Sequence, residues 1–129
     1  MAEQPKKKVL VIDDNTMVAA LFQDELDAVY DVSICPTGVQ GVQSAVASPP
    51  DAILLDVNLP DLNGLQVLQY LAAYPQTAAV PVIIITASEY NPENESYARQ
   101  FPNFKSFMSK MSGGEALRAA LAGLIGPRK

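Results

Sequence analysis

Short apolar runs that alternate with helix-like patterns predict an α/β protein, with a doubly wound five-stranded parallel sheet covered by helices on both faces. The runs are nearly continuous in apolar residues, as in parallel strands that are buried on both sides. Between them, apolar residues recur three or four positions apart, which is the period of an amphipathic helix. Because right-handed crossovers leave few topologies, we expect the strand order 2-1-3-4-5, which is common at this chain length.

The first half of the chain predicts three strands with two helices between them. The apolar run Lys8–Ile12 is the first strand, and Asn15 is a suitable N-cap for the helix that follows. Residues 30–35 have the composition of a second strand, Pro49 ends the second helix, and Ala52–Asp56 is the central strand. The apolar residues that define the helices are Val18, Leu21, Phe22, Leu26 and Val29 in the first, and Val39, Val42 and Val46 in the second.

The second half continues the alternation. A third helix is predicted over residues 64–74 and a fourth strand over residues 82–85. The fourth helix is predicted to be short and irregular, with Asn91 as its candidate cap and Pro102 beyond its end. Phe104–Ser109 is the fifth strand, and a final helix follows. The apolar residues of the two regular helices are Leu65, Leu68 and Leu71 in the third, and Leu117, Leu121, Leu124 and Ile125 in the last.

Length and charge limit the classes of function. A chain of 129 residues fits one domain, and we expect an ordered core over about residues 8–125. The net charge of −5, with a single basic run at residues 6–8, argues against nucleic-acid binding, which needs clustered Lys and Arg. No apolar run is long enough for a membrane span or a signal peptide. These features predict a cytoplasmic protein with neither a nucleic acid nor a membrane as its partner.

The chain has one cysteine and no histidine. It therefore lacks a disulfide framework, a thiolate cluster for zinc and the commonest general base of enzymes. Any chemistry must use carboxylates, hydroxyl groups and lysine.

Polar residues end several of the predicted strands. Asp13 and Asp14 follow the first strand, Asp56 ends the third, and Thr86 and Lys110 follow the fourth and fifth. In the order 2-1-3-4-5 the first and third strands are neighbours at the point where the winding reverses, which is where such sheets bind ligands. We therefore expect the three carboxylates to meet at one edge of the sheet, with Thr86 and Lys110 along the same edge.

Three carboxylates in one pocket need a compensating charge. Two like charges about 4 Å apart repel by on the order of 4 kcal/mol at an effective dielectric constant of 20. Oxygen ligands without nitrogen or sulfur favour a hard divalent ion, and few protein ligands favour Mg²⁺ over Ca²⁺. A metal beside a lysine suits phosphoryl transfer, with Asp56 as the acceptor that forms an aspartyl phosphate.

Together these residues resemble the receiver domain of two-component response regulators. The segments that carry the resemblance are Asp13-Asp14, Asp56-x-x-Leu59-Pro60-x-Leu62-Asn63-Gly64, Thr86-Ala87 and Lys110. The resemblance covers about residues 8–125. It implies a flavodoxin-like (βα)5 fold and a single receiver domain over residues 1–129, not a conventional enzyme, that catalyses its own phosphorylation and dephosphorylation.

By this resemblance, Asp56 accepts the phosphoryl group from a phosphohistidine of a sensor histidine kinase or a phosphotransfer protein. Asp14, Asp56 and the main-chain carbonyl of Asn58 would bind Mg²⁺ directly, and Asp13 would act mainly through water. The resemblance implies these ligands for a metal site in which magnesium is the cofactor.

The resemblance also implies how the signal leaves the site. Lys110 and Thr86 would hold the phosphoryl oxygens, and Phe107 stands where the family has an aromatic residue that moves inward with Thr86. The face formed by the fourth helix, fifth strand and fifth helix would then bind a downstream protein target. We expect a monomer or a weak dimer.

The chain departs from the family pattern at two places. Met111 follows Lys110 where the family has a proline in a cis peptide bond, so we predict a trans bond here. Residues 89–103 contain Pro and Asn at positions that disfavour a helix. These departures leave one alternative open: a degenerate receiver that acts as a phosphorylation-independent interaction module.

Two other classes fit the site less well. Hydrolases of the haloacid dehalogenase type resemble this chain in their nucleophilic aspartate but place a second acid two residues later, where this chain has Asn58. A flavodoxin-like mononucleotide binder would offer hydroxyl and N–H groups in its first loop, where Asp13 and Asp14 would instead repel phosphate. Asp61 and Asn63 are interpreted as turn formers only.

Overall fold

The computed structural model describes residues 6–86 and 92–126, with the backbone alone at residue 92, and the structural statements that follow concern these residues. The strands are β1 (Lys8–Ile12), β2 (Asp31–Cys35), β3 (Ala52–Asp56), β4 (Val82–Thr86) and β5 (Phe104–Ser109). The helices are α1 (Thr16–Leu26), α2 (Gly38–Ala47), α3 (Gly64–Ala73), α4 (Pro92–Ala98) and α5 (Gly114–Ile125), and a 3₁₀ turn covers Lys110–Ser112.

The strands form one parallel sheet in the order β2-β1-β3-β4-β5, which confirms the predicted topology. Ile12 of β1 lies opposite Leu55 of β3, and Thr86 of β4 lies opposite Ser109 of β5. The carboxyl ends of these strands therefore reach the same edge of the sheet. The residues that directly follow β1 and end β3 are brought together at this edge.

Two apolar layers hold the helices against the sheet. On one face, Leu10 and Ile12 of β1 pack in a cluster with α2, α3 and α4. On the other, Val9 and Val11 pack in a cluster with α1 and α5. All five residues of β3 are buried, because helices cover both faces of the central strand, and this explains its continuous apolar sequence.

Local signals set the helix starts. The Asn15 side chain accepts a hydrogen bond from the Val18 N–H (3.1 Å), which confirms its prediction as the N-cap of α1. The helix α4 is short, as predicted, but Asn91 lies outside the described residues. Within the part of the chain that the structure describes, no helix has the length and apolar character of a membrane span.

The predicted apolar faces of α1 and α2 were partly wrong. Val39 and Leu21 are exposed, and the residues of α2 that are buried are Gly38, Gly41 and Ala45. A Cβ atom at Gly41 would lie 2.4 Å from Cδ1 of Ile12, so α2 approaches the sheet through its small residues. Its valine stripe is left half-buried or exposed.

Candidate functional site

Three carboxylates meet at the edge where β1 and β3 end. Asp13 and Asp56 are buried and Asp14 is exposed, and one oxygen from each lies within 4.8 Å of the others. The pairing of β1 with β3 causes this meeting, since Asp13 directly follows β1 and Asp56 is the last residue of β3. The predicted gathering of these acids is confirmed as geometry.

Backbone amides orient the two buried carboxylates. Oδ1 of Asp13 accepts a hydrogen bond from the Asn15 N–H (2.9 Å), and Oδ1 of Asp56 accepts one from the Asn58 N–H (3.2 Å). Both are bonds to the amide two residues later, the pattern in which an aspartate organises the turn that follows it. These backbone bonds do not use the Oδ2 atom of either carboxylate, so both Oδ2 atoms remain available to other groups in the pocket.

Lys110 closes the site from the end of β5. Its Nζ lies 3.1 Å from Oδ2 of Asp13 and 3.5 Å from Oδ2 of Asp56, and its side chain is largely buried. Nζ also donates a hydrogen bond to Oδ1 of Asp13 (3.4 Å). Among the described residues, none donates a hydrogen bond of good geometry to the buried Oδ2 of Asp13.

Met111 does not displace the lysine. No cis peptide bond occurs among the described residues, so the Lys110–Met111 bond is trans, as predicted. Ser109 Oγ accepts a hydrogen bond from the Met111 N–H (3.0 Å), which starts the 3₁₀ turn, and the Met111 side chain points into solvent. Lys110 therefore reaches both buried acids without a proline after it.

Burial and charge change the acidity of the Asp56 carboxyl. Burial, and secondly the neighbouring Asp13 carboxylate, raise the pKa of Asp56 to about 6, against the Asn58 N–H and the Lys110 ammonium, which lower it. At neutral pH the carboxyl is still mostly ionised. A cation in the pocket would favour its ionised form further.

Thr86 and Phe107 lie on one face of the sheet. Phe107 is opposite Ile84, and Thr86 is two residues beyond Ile84 on the same strand, so all three side chains project to the same side. Thr86 ends β4 and is half-buried. The centroid of the Phe107 ring lies 5.2 Å from that of the Phe104 ring. Phe107 packs against the apolar cluster under α3 and α4.

The loop after β3 makes contacts that the sequence did not predict. Both Asp61 carboxylate oxygens accept hydrogen bonds from the start of α2, from the N–H groups of Gly38 (2.8 Å) and Val39 (2.9 Å), and these bonds hold the pKa of Asp61 below its usual value. Asn63 caps α3 in a reciprocal capping box with Gln66. The interpretation of both residues as turn formers only was therefore incomplete.

The backbone at Asp56 passes so close to Gly64 that no larger residue fits at this position of the loop. A Cβ atom at Gly64 would lie 2.4 Å from the carbonyl oxygen of Asp56, and the Gly64 N–H donates to the carbonyl of Val57 (2.8 Å). The capping-box pattern Asn63-Gly64-Leu65-Gln66 is visible in the sequence. The contact of Asp61 with α2 has no local signal, because it depends on tertiary placement.

A family model for the response regulator receiver domain matches residues 9–122. The chain belongs to this family. The match covers every element from β1 through most of α5, and it includes the positions of the acidic cluster and Lys110. The predicted family and its fold are thus confirmed for this receiver domain.

Curated relatives of this receiver domain include a response regulator and a transcriptional regulator. It is 31% identical to the polar-differentiation response regulator DivK of Brucella ovis over 90 residues, which are 69% of this chain and 73% of DivK. It is 38% identical to the DNA-binding dual master transcriptional regulator RpaA of Synechocystis over 81 residues, which are 62% of this chain and 34% of RpaA. The chain therefore spans only about a third of RpaA.

Solved structures agree with the fold of the receiver domain. The receiver domain of sensor histidine kinase PA1611 from Pseudomonas aeruginosa superposes with a TM-score of 0.83 at 26% identity, covering 94% of this chain and 98% of that one, and it holds a magnesium ion in its active-site cleft. The chemotaxis protein CheY4 of Vibrio cholerae superposes with a TM-score of 0.85 at 24% identity, covering 92% and 98%.

Proposed function

We propose that this receiver domain is a phosphoacceptor switch that takes a phosphoryl group onto Asp56 from a phosphohistidine of a sensor histidine kinase or phosphotransfer protein, with the exchange in the cytoplasm. The observation that carries the proposal is the contact of Lys110 Nζ with Asp56 Oδ2 (3.5 Å) in a pocket that also contains Asp13 and Asp14. The proposed acceptor, its neighbouring ammonium and the acids proposed to bind the metal thus lie together.

The donor set fits Mg²⁺. Three carboxylates supply hard oxygen ligands without nitrogen or sulfur, and Oδ2 of Asp13 is buried beside the Lys110 ammonium without a hydrogen bond of good geometry. Asp14, Asp56 and the carbonyl of Asn58 would hold the ion directly, with Asp13 acting through water. When bound, Mg²⁺ neutralises negative charge on the transferring group and its acceptor.

The residues of the chain itself then have separate roles in the transfer. An oxygen of ionised Asp56 forms a bond to phosphorus while the bond from phosphorus to the donor imidazole nitrogen breaks, and that nitrogen keeps the electron pair. Lys110 already contacts Asp56 Oδ2, so its ammonium can follow the charge onto the phosphoryl oxygens. The Thr86 hydroxyl, on the same edge, donates to another of these oxygens. Attack of water on phosphorus later restores the carboxylate.

Phosphorylation at the site would change the conformation of a protein-binding surface. Thr86 and Phe107 project to the same side of adjacent strands, so movement of Thr86 toward the phosphoryl group opens space that Phe107 can enter. The face formed by α4, β5 and α5 would change with it and bind a downstream protein target. A phosphorylation-independent module is not favoured, because Lys110 reaches both buried acids despite Met111.

The test is phosphorylation with acetyl phosphate and Mg²⁺, followed by intact mass. We expect the wild type to gain one phosphoryl group, Asp56→Asn to gain none, and Asp61→Asn to behave as the wild type. Asp61 is a matched control because it lies in the same loop, but its carboxylate is engaged at the start of α2. No gain in the wild type, with either acetyl phosphate or a phosphorylated kinase domain, would contradict the proposal.

A further inference from the structure

The helices α2 and α3 contain no Asp, Glu, Lys or Arg. Each of the other helices has at least two charged residues: Asp24 and Glu25 in α1, Glu93 and Glu95 in α4, and Glu115 and Arg118 in α5. The uncharged character extends beyond the two helices, over residues 32–50 and 62–86. We call the outer surface of α2 and α3 the neutral face.

The neutral face exposes apolar and aromatic side chains. Val39 of α2 is 46% exposed, Tyr70 of α3 is 49% exposed and Tyr74, just beyond α3, is 42% exposed. A groove of about 280 Å³ lies on the same surface, and its lining residues are Val42, Gln43, Val46, Ala47 and Tyr74. Protein interfaces are depleted in charged residues at their centres and enriched in tyrosine, so this surface has the composition of an interface.

The valine stripe of α2 supports the same conclusion. Val39, Val42 and Val46 recur at the spacing of a helix face, yet none of them is fully buried. Val42 packs partly against the core, whereas Val39 is 46% exposed. The part of this apolar stripe that the core of one molecule leaves uncovered is available to a second molecule. Covering it would remove apolar area from water.

The distribution of charge favours a second copy of this chain as the partner. The chain has a net charge of −5, and its acids lie outside α2 and α3. Because acids outnumber bases, two copies that approach through acidic surfaces oppose like charges, which costs several kcal/mol at a close interface. Asp61, which borders the neutral face, has both carboxylate oxygens engaged by the amides at the start of α2. The neutral face is therefore where two copies meet with the least repulsion.

We propose that a second copy of this chain docks on the neutral face and forms a twofold dimer in which each copy uses the same surface. A twofold axis places the same patch on both subunits, and an uncharged patch is compatible with itself. Two ten-residue helices are each about 15 Å long and lie about 9 Å apart. Their footprint is that of a small interface, so the dimer is weak and reversible.

The experiment is sedimentation equilibrium of the full chain in EDTA without phosphodonor, from about 10 µM to about 1 mM. We expect the average mass to rise with concentration from the monomer value toward twice that value. Raising the salt concentration should leave the dissociation constant unchanged or lower it, since no ion pairs are lost and residual repulsion is screened. Because phosphorylation plays no part, failure here would leave the proposed switch intact, and the reverse also holds.

Two variants test the location. Tyr74→Glu and Tyr70→Glu each place an acid on the neutral face and should raise the dissociation constant about tenfold or more. The matched control is Leu21→Glu, which adds the same charge at a residue of α1 that is 62% exposed, on the opposite layer of the molecule, and should have no effect. Circular dichroism melting verifies that all three variants fold.

Four outcomes would overturn the proposal. They are a monomer at every concentration, association that weakens when salt is added, a mass that continues to rise beyond the dimer, and equal or larger weakening by Leu21→Glu.

Discussion

At Asp56, burial and a neighbouring charge oppose the groups that favour its ionised form. Burial and Asp13 raise its pKa, the Asn58 N–H and Lys110 lower it, and the result is a pKa of about 6. Between the unfolded value near 3.8 and this folded value, the folded protein holds a proton that the unfolded chain releases. The contribution of this carboxyl to stability is therefore complete below the unfolded pKa and is lost as pH rises through 6.

This gives a pH dependence for the metal-free protein. From about pH 4 to about pH 6, we expect Asp56 to lower the free energy of unfolding by at most about 3 kcal/mol, at 1.4 kcal/mol for each pKa unit. Asp56→Asn removes the titrating group and should remove this part of the pH dependence. Urea unfolding in EDTA at several pH values measures the difference between the two proteins, and a difference that does not change with pH would contradict the prediction.

Lys110 is the cation that both buried acids share. Removing it leaves two carboxylates without their positive partner, and it would also remove the group that we propose to hold the phosphoryl oxygens. We predict that Lys110→Gln lowers the rate of phosphorylation by acetyl phosphate about tenfold or more, the equivalent of at least 1.4 kcal/mol. Phosphoryl incorporation over time, followed by mass, is the measurement.

The control for this change is Lys105→Gln, which removes the same charge from an exposed position on β5. Its rate should equal that of the wild type. Equal rates for all three proteins would show that Lys110 takes no part in the transfer.

The N-terminal lysines act on helix ends. Lys6 Nζ donates to the carbonyl of Asp27 (2.6 Å) just after α1, Lys7 Nζ donates to the carbonyl of Ile125 at the end of α5, and Lys8 Nζ donates to the Ser48 hydroxyl (3.3 Å) at the end of α2. None of these three helices has a basic residue in its own last turn. The single basic run thus supplies the positive charge that helix C-termini favour.

We predict that Lys7→Met lowers the free energy of unfolding by about 0.5–1 kcal/mol, because α5 loses the cation at its last carbonyls. Lys105→Met is the control, since this exposed lysine is on a strand. Urea unfolding at low salt measures both. A loss of the same size in the two variants would assign the effect to net charge rather than to the helix end.

Two helical glycines differ in what surrounds them. A Cβ atom at Gly41 would meet the Ile12 side chain at 2.4 Å, whereas one at Gly123 of α5 would meet nothing within 4 Å. We predict that Gly41→Ala destabilises by roughly 1–3 kcal/mol through overpacking, and that Gly123→Ala stabilises by about 0.5–1 kcal/mol through helix propensity. Unfolding free energies that change in the same direction would contradict this reading of α2.

The same contrast explains how far the sequence predicts each element. Buried parallel strands are continuous apolar runs that end on polar residues, so Ala52–Asp56 and Phe104–Ser109 were predicted with their observed bounds. The buried face of α2 was not, because periodicity marks where valines recur and cannot show that Gly41 makes the contact with the sheet. Which apolar residues face inward is decided by the distance between helix and sheet.

Over the whole chain, strand order does most to form the site. Lys110 lies 97 residues from Asp13 and 54 from Asp56 in sequence, yet all three are in contact. The sequence predicts this meeting because each residue ends or follows a strand and the order 2-1-3-4-5 follows from a few rules of connection. It does not predict the raised pKa of Asp56, which depends on how completely the folded chain buries that carboxyl.

The charged residues are unevenly distributed over the molecule. Acids and the lysine gather at the carboxyl edge of the sheet, while α2 and α3 are uncharged. Phosphoryl transfer and self-association are therefore proposed for different surfaces. A variant at the carboxyl edge should leave self-association unchanged, and a variant of the neutral face should leave phosphorylation unchanged. Intact mass and sedimentation equilibrium can measure both on the same samples.

Borohydride trapping most directly identifies the phosphoacceptor. Reduction of an aspartyl phosphate yields homoserine, so peptide mass spectrometry after treatment with acetyl phosphate, Mg²⁺ and borohydride names the modified residue. We predict homoserine at position 56 only, and none when EDTA replaces Mg²⁺. Homoserine at position 13 or 14 instead, or at no position in a folded wild-type protein, would contradict Asp56 as the phosphoacceptor.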